Sequence, residues 1–321
     1  MGLKEVEKGL YKPLDFEGLK TYSIKDRKNL VSVRDFARPV PPPRDFKEFL
    51  DSLPHSMAAG RFLKVAESIV AAHKKGCPVV MAMGAHVVKC GLSPLVIDLM
   101  ERGILSAVAM NSATAIHDYE ISLIGATSED VQSGLKDGSF GMARETAQAF
   151  QAASSRGVRE GIGLGAALGK NINQDGNKYA SYSILSAAER MDIHATVHTT
   201  IGADTVHMHT NMSGKDLGGS SYIDFQILAG VVANLEGGVW LNVGSAVVMP
   251  EVFLKTLSVA RNLGHRVENF AAVDMDMLQH YRPTVNVVKR PTQQGYSLTG
   301  HHELMLPLLR ISILSILNNR T

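Results

Sequence analysis

Hydrophobic and polar positions follow two different periods along most of the chain. Over residues 58–75 the apolar positions recur with a helical period, which predicts an amphipathic helix that ends before Gly76. The segments 78–83 (PVVMAM) and 104–110 (ILSAVAM) are instead continuously apolar, which is typical of strands buried on both faces of a parallel sheet. Ser93 and the proline after it start a helix that lies between these two strands. The region therefore predicts one right-handed βαβ unit.

The alternation of helix and strand patterns continues toward the C-terminus. We predict strands over 194–200, 238–243 and 270–274, and helices over 113–124, 139–156, 178–190, 221–235, from Pro250 to Gly264, and from about 303. The helix at 221–235 is expected to open with a capping box of Ser221 and Asp224. Five or six strands that each lead to a helix favour an open three-layer α/β fold over an eight-stranded barrel. This Rossmann-like fold has a mostly parallel sheet with helices on both faces.

Composition narrows the class of protein. The 321 residues carry 33 Lys and Arg against 31 Asp and Glu, so we expect neither nucleic acid nor an anionic membrane as a partner. Two cysteines without a CxxC motif indicate reduced thiols and a cytoplasmic protein.

The first 57 residues are rich in charge and proline, and we read them as an N-terminal arm before a catalytic domain at 58–321. The arm either lies on the body or a neighbouring subunit, or is a partly disordered tail.

Small and hydrogen-bonding residues directly follow each predicted strand. Because ligands of open α/β sheets bind outside the carboxyl ends of the strands, these residues predict a ligand crevice. They include Gly84-Ala85-His86, Asn111 to Thr114, Thr199 to Asp204, Gly244-Ser245-Ala246, and Asp274 with Asp276. Tight strand-to-helix turns alone would need similar residues. The chain contains no P-loop motif, and we attribute GIGLG (161–165) to close helix packing.

Two parts of the chain resemble a known superfamily. The segment NSATAIHDYEISLIGATSEDV (111–131) resembles the loop and helix of proteins with the deoxyhypusine-synthase-like NAD-binding fold. It is also similar to the related archaeal family with a NAD-dependent ornithine cyclodeaminase domain. The segments 202–232 and 239–253 resemble the second half of deoxyhypusine synthase in order and spacing, so the resemblance covers roughly residues 60 to 265.

The resemblance implies NAD as cofactor and a homo-oligomer, either a dimer or a tetramer. It implies cofactor contacts at Gly84, Ala85, Asn111, Ser112, Ala113, Asn211, Gly218, Gly219, Ser220, Asn242, Gly244 and Ser245. One departure is decisive, because the lysine that forms an imine in deoxyhypusine synthase corresponds here to Val231. Valine cannot form an imine, and Lys215 lies in the preceding loop, so the deoxyhypusine reaction is not implied.

Several polar residues near these loops are candidates for the chemistry. His117, Asp118 and Glu120 lie near a helix start, where His117 could act as a base and either carboxylate could anchor an amine. Asp204 and His207 are candidate substrate contacts. Each of these residues could instead have a purely structural role, as a helix cap or through a hydrogen bond to the backbone.

Two further histidine clusters leave alternatives open. His198, His207 and His209 could together hold a metal ion, although we assign no metal. Gln279 to Arg282 and Gly300 to Glu303 could supply an anion clamp, or a helix cap with a subunit contact.

The sequence therefore favours a NAD-dependent enzyme acting on a small amine or amino acid. Such an enzyme would dehydrogenate its substrate, with elimination or transfer possible, and without a lysine imine. A metal-dependent hydrolase or lyase built on His198, His207 and His209 is one alternative. A non-catalytic nucleotide-binding protein is the other.

Overall fold

A six-stranded, fully parallel sheet forms the centre of the protein. The computed structural model describes residues 16–23, 26, 32–41 and 43–318. The strand order is β3-β2-β1-β4-β5-β6, with β1 at Val79–Met83 hydrogen-bonded to both β2 and β4. The remaining strands are Ala107–Asn111 (β2), His194–His198 (β3), Val239–Val243 (β4), Ala271–Asp276 (β5) and Gln294–Thr299 (β6). Helices cover both faces, so the predicted three-layer α/β fold is confirmed.

Helices connect the strands in the order that the alternating pattern predicts. The longer ones are Met57–Lys74 (α2), Ser93–Glu101 (α4), Ser112–Ile124 (α5), Arg144–Glu160 (α7), Gly163–Asp175 (α8), Gly214–Ala233 (α10), Val248–Asn262 (α11) and His302–Asn318 (α13). The shorter ones are Phe46–Ser52 (α1), His86–Lys89 (α3), Val131–Asp137 (α6), Ile184–Arg190 (α9) and Tyr281–Pro283 (α12), which continues into a π-helical turn at Thr284–Lys289. Short 3-10 turns lie at Val33–Asp35, Ala180–Tyr182 and Thr205–Met208.

Two separate cores lie on the two faces of the sheet, because successive side chains of a strand point to opposite sides. Met81 of β1 and Leu241 of β4 belong to the larger core, which is closed by α2, α4, α5, α8, α9 and α13. Val80 of β1 and Trp240 of β4 belong to the smaller core under α10 and α11. Trp240 stacks on Phe253 with ring centroids 4.1 Å apart. The continuously apolar strands of the sequence are therefore buried on both faces.

Helix α8 and strand β6 give only weak sequence signals. Helix α8 carries three glycines, which weaken the helical signal, yet close packing explains their presence. A Cβ on Gly165 would lie 2.1 Å from the Ala195 carbonyl oxygen, and one on Gly169 would lie 2.5 Å from that of Leu185. Strand β6 is an edge strand with mostly half-buried residues, so it lacks the apolar run of the central strands.

The predicted capping box at Ser221 and Asp224 is wrong. Helix α10 begins at Gly214, and Ser213 caps it by accepting a hydrogen bond from the Asp216 amide. The Ser221 hydroxyl accepts from the Thr199 amide and donates to the Val197 carbonyl, which ties α10 to the end of β3. The buried Asp224 carboxylate accepts from the amides of Leu164, Gly165 and Val197, so it joins α10 to α8 and β3.

The segment before α2 packs partly on the domain. Helix α1 contacts α13, and Leu50 of α1 is buried. Arg310 of α13 in turn donates to Asp98 of α4 at 2.8 Å. The boundary of the arm at residue 57 stays a prediction, and residues 1–15 lie outside the described ranges. Among the helices that the structure describes, none combines the length and hydrophobicity needed to cross a bilayer.

Candidate functional site

The centre of the sheet contains a topological switch point. Strands β1 and β4 are neighbours, but the chain leaves them toward opposite faces of the sheet. After β1 it enters α3 and α4, whose buried residues join the larger core, and after β4 it enters α11, whose buried residues join the smaller core. In open α/β sheets, ligands bind at the carboxyl edge where two such connections diverge. The geometry therefore places a candidate site above the ends of β1 and β4.

Two glycines bring the ends of β1 and β4 into contact. Gly84 donates its amide to the Val243 carbonyl at 2.9 Å, and Gly244 donates its own to Met275 of β5 at 3.0 Å. A Cβ on Gly84 would lie only 2.0 Å from the Gly244 carbonyl oxygen. Gly244 has a φ of +66°, a conformation that residues with a Cβ rarely adopt. Both predicted cofactor glycines therefore meet at one point, where Gly84 is buried and Gly244 is half-buried.

Buried polar side chains surround this point on the β4–β5 side. The Asn242 side-chain amide donates to the Ser245 carbonyl at 2.9 Å and to Asp274 Oδ1 at 2.8 Å. Ser245 Oγ accepts the Met249 amide at 3.2 Å in the first turn of α11. Burial raises the pKa of Asp274 to about 6; the Asn242 hydrogen bond opposes this rise and the charge of Asp276 adds to it. Asp274 is therefore a carboxyl group that ionises near neutral pH.

His302 closes the site from the start of α13. Its Nε2 lies 3.6 Å from Asp276 Oδ1, and its ring is only 1% exposed. A Cβ on Gly244 would lie 2.9 Å from the same Nε2, so the ring packs directly on the glycine. The exposed His86 ring of α3 lies 6.3 Å away between centroids. Burial opposes ionisation of Asp276, but His302 and the Met277 amide outweigh it and lower the pKa of this carboxyl.

The end of β2 also reaches the switch point. Asn111 caps α5 by accepting the Thr114 amide at 3.0 Å, and the Thr114 hydroxyl donates to the Met83 carbonyl at the end of β1. Ser112 and Ala113 form the first turn of this helix. The predicted cofactor residues at 84, 85, 111–113, 242, 244 and 245 thus occupy the ends of three adjacent strands.

The other predicted cofactor residues lie elsewhere. Gly218, Gly219 and Ser220 were expected in a loop, but they lie inside α10. Ser220 is buried and donates to the Leu217 carbonyl, and Gly219 faces Val158 of α7. This part of α10 is tied to β3, which is three strand spacings, or roughly 14 Å, from β4. Asn211 is exposed in the loop before α10.

His117 and Glu120 meet on one face of α5, as their spacing predicts. His117 Nδ1 lies 2.6 Å from Thr127 Oγ1, and that hydroxyl also donates to Glu120. Thr146 of α7 donates to the other Glu120 oxygen at 3.2 Å. Burial opposes ionisation of Glu120, but hydrogen bonds from His117 and Thr127 outweigh it and lower its pKa. Both side chains therefore already have partners from within the chain.

Asp118 points away from this pair into the core. It is fully buried and accepts hydrogen bonds from the Ser183 hydroxyl at 2.6 Å and the Ile184 amide at 2.7 Å. A third comes from the Leu185 amide at 3.2 Å. Burial raises the pKa of Asp118 to about 6 against these donors. The carboxyl group therefore holds the N-terminus of α9.

The remaining histidines have separate partners. His207 Nε2 lies 3.9 Å from Asp204 Oδ2, and its Nδ1 accepts the Gly202 amide at 3.1 Å, all within one loop. His209 pairs with the Gly141 carbonyl, and the buried His198 pairs with the Thr196 hydroxyl. Burial lowers the pKa of His198 to about 3. Among the described residues, no three His, Cys, Asp or Glu side chains are arranged to hold a metal ion, so the alternative set His198, His207 and His209 is not brought together.

The sequence marked polar residues after β5 and after β6, but it did not show which of them form a site. Asp274 and Asp276 directly follow an apolar run, and His302 stands in a cluster for which capping and chemistry were equally open. Their convergence with Asn242 depends on β4 and β5 being neighbours, with α13 starting above them. Strand order is not encoded in local periodicity, so no sequence signal could have joined these residues.

Solved structures of other proteins share this fold. The chain shares its fold with AgrE. The AgrE complex with ornithine and NAD+ superposes with a TM-score of 0.54 at 14% identity, covering 84% of this chain and 35% of that chain. A candidate LOR/SDH protein from Methanococcus maripaludis S2 superposes with a TM-score of 0.53 at 14% identity, covering 81% and 71%. The protein thus spans about a third of the length of AgrE.

One less similar structure covers most of both chains. A candidate deoxyhypusine synthase from Entamoeba histolytica superposes with a TM-score of 0.49 at 10% identity, covering 85% of this chain and 94% of that chain. Neither a protein-family model nor a curated protein sequence matches this chain. The superpositions on AgrE and on the LOR/SDH protein confirm the resemblance predicted from the sequence as a shared fold.

Proposed function

We propose that this protein is a NAD-dependent enzyme that acts on a small amine or amino acid. The observation that carries the proposal is the switch point of the sheet, where the half-buried Ala85, Asn111 and Gly244 lie at the ends of β1, β2 and β4. In open α/β sheets, dinucleotides bind at such a place, outside the carboxyl ends of the strands. The presence of NAD+ in the AgrE complex supports the same choice of cofactor.

The residues around the switch point fit a dinucleotide. The first turn of α5 at Ser112 adjoins β1, and a helix N-terminus stabilises the negative charge of a phosphate. Ala85 and Gly244 are half-buried at the ends of their strands, so they offer surface at the expected place. Asn242 and Ser245 fix the turn after β4 through the hydrogen bond between them. When bound, NAD would supply a hydride acceptor.

The residues proposed to contact NAD lie at the ends of β1, β2 and β4: Gly84, Ala85, Asn111, Ser112, Ala113, Asn242, Gly244 and Ser245. Asn211, Gly218, Gly219 and Ser220 fit it less well, because they lie on the β3 side of the sheet. His117 with Glu120, and Asp204 with His207, stay candidates for contacts with the substrate. Asp118 fits a role in stability better, since three donors from α9 and its cap surround it.

Ala85→Trp tests the cofactor site. Ser245 is a poor test position, because its hydroxyl accepts the Met249 amide and a bulky residue would disturb α11. An indole at position 85 would fill the space next to Gly84, so we expect NAD affinity to fall by about tenfold or more. Isothermal titration of the purified chain with NAD and with NADP measures this affinity.

The matched control is Ala71→Trp. Ala71 is exposed in the last turn of α2, which leads to the opposite edge of the sheet. The Ala71→Trp variant should bind NAD like the wild type. A wild-type chain that binds neither dinucleotide would refute the proposed function, and equal affinities of the two tryptophan variants would refute the location of the site.

A further inference from the structure

The Thr127 hydroxyl lies between the imidazole of His117 and the carboxylate of Glu120. His117 Nδ1 is 2.6 Å from Thr127 Oγ1, and the hydroxyl donates its hydrogen to Glu120 Oε2. A hydroxyl group carries only one hydrogen, so its contact with the imidazole is a hydrogen bond only if Nδ1 donates and Oγ1 accepts. A neutral His117 therefore has its hydrogen on Nδ1 and its lone pair on Nε2.

The charge of Glu120 gives the hydroxyl this direction. Burial raises the pKa of the carboxyl group, but hydrogen bonds from His117, Thr127 and Thr146 outweigh it and bring the pKa below its ordinary value. The group is therefore an ionised carboxylate at neutral pH, and a carboxylate only accepts hydrogen bonds. Its second oxygen accepts from Thr146 of α7 at 3.2 Å. Helix α7 thus helps to hold the carboxylate that orients Thr127.

The other ring nitrogen of His117 is open and lies on the accessible side of α5. Among the described residues none bonds to His117 Nε2, and the atom is not fully buried. Over 112–120 only positions 113, 117 and 120 are half-buried, and the residues between them are buried. Residues four apart on a helix are neighbours, with about 5–6 Å between their Cβ atoms. His117 therefore adjoins Ala113, a proposed NAD contact in the first turn after β2.

We propose that Glu120 and Thr127 are positioning residues that hold His117 in its Nδ1–H form, so that Nε2 serves as a proton acceptor for the ligand of the crevice. The inference rests on the proposed function, because it takes the crevice beside Ala113 as the ligand site. It gives Thr127 a role that no sequence spacing indicates, and it gives each nitrogen of His117 a separate task.

A proton can enter this network of His117, Thr127 and Glu120 without moving any other hydrogen. The bond between the hydrogen and a nitrogen or oxygen atom of the ligand breaks, its electron pair stays on that atom, and the proton binds to Nε2. The ring becomes an imidazolium that still donates through Nδ1 to Thr127. Glu120 balances the new charge, since its Oε2 lies 3.6 Å from Nδ1.

The tautomer of His117 tests the positioning without any ligand. The nitrogen chemical shifts of a histidine ring distinguish the two neutral forms, and His117→Asn identifies the signal of this ring. We expect the Nδ1–H form in the wild type, although histidine free in water favours the Nε2–H form. Thr127→Ser keeps the hydroxyl and should retain the Nδ1–H form. Thr127→Val and Glu120→Ala should each lower its population by about twofold or more.

Thr210→Val is the matched control, because Thr210 is exposed in the loop before α10. The His117 signal of this variant should match that of the wild type. An Nε2–H form in the wild type overturns the proposal, even where the variants fold poorly. An unchanged signal in both Thr127→Val and Glu120→Ala overturns it as well.

Modification by diethyl pyrocarbonate tests whether Nε2 is open and faces the ligand. The reagent acylates a histidine nitrogen with an accessible lone pair, and mass spectrometry gives the rate at each residue. We expect His117 to react about tenfold or more faster than the buried His198. Saturating NAD should slow His117 by about threefold or more and leave His265, exposed after α11, unaffected.

Modification of His117 as slow as that of His198 would overturn the open acceptor at Nε2. NAD that binds in titration without protecting His117 would overturn the place of this residue at the ligand site. A chain that binds no NAD refutes the proposed function, and the tautomer of His117 then still decides whether Glu120 and Thr127 position the ring.

Discussion

Gly84→Ala tests the packing on which the proposed site depends. The added methyl carbon would lie 2.0 Å from the Gly244 oxygen and 2.7 Å from the Gly244 carbonyl carbon. Carbon–oxygen contacts in proteins are normally about 3.3 Å or longer, so the two strand ends would have to separate by about 1.3 Å. Both atoms belong to the backbone, so no side chain can rotate to relieve the clash.

The expected loss in the free energy of unfolding follows from the contacts that this separation weakens. The Gly84 amide holds the end of β1 to β4 through its hydrogen bond to Val243, and the Gly244 amide holds the end of β4 to β5 through its hydrogen bond to Met275. Overpacking costs about 1–3 kcal/mol, and each weakened hydrogen bond adds about 0.5–1.5 kcal/mol. We therefore expect Gly84→Ala to lower the free energy of unfolding by about 2–4 kcal/mol and to weaken NAD binding.

Gly230→Ala is the control with the opposite sign. Gly230 lies inside α10, and a Cβ there would meet no atom within 4 Å. Alanine should therefore raise the free energy of unfolding by up to about 1 kcal/mol through its higher helix propensity. Urea unfolding followed by circular dichroism compares the two variants. A Gly84→Ala variant as stable as the wild type would show that the strand ends do not approach as described, and the reasoning would fail.

Two further predictions concern buried carboxyl groups. The pKa of Asp274 is about 6 in the folded protein against an ordinary 3.8, so the folded state binds more protons between these values and stability falls as pH rises through them. Asp274→Asn should remove this fall and stabilise the protein at pH 7 by about 2–3 kcal/mol, measured by urea unfolding at pH 4 and pH 7; an unchanged pH dependence would contradict the raised pKa. Asp118→Ala should lower the free energy of unfolding by about 2–4 kcal/mol, because it leaves the α9 cap unpaired. Thermal unfolding beside Asp175→Ala checks this, and equal transitions would contradict the capping role.

The sequence by itself determined the elements with strong local patterns. The strands around Met81, Val108 and Trp240 were predicted within a few residues, since strands buried on both faces must be apolar throughout. It also predicted a ligand site at the strand ends, because the turns after parallel strands share one edge of the sheet. Strand β6 was not predicted, because a half-buried edge strand leaves no periodic signal, and of helix α8 only the GIGLG segment at its start was assigned to a helix with close packing.

Only the tertiary structure decided which of the flagged residues meet. His117 and Asp118 are neighbours in sequence, yet one faces Thr127 and the other is buried against α9. Asn242 and His302 are far apart in sequence, yet strand order and the start of α13 bring both beside Gly244. Local periodicity specifies a residue's face within its own element. Pairing between elements depends on packing of the whole chain, and that packing places Asp274 beside both Asn242 and His302.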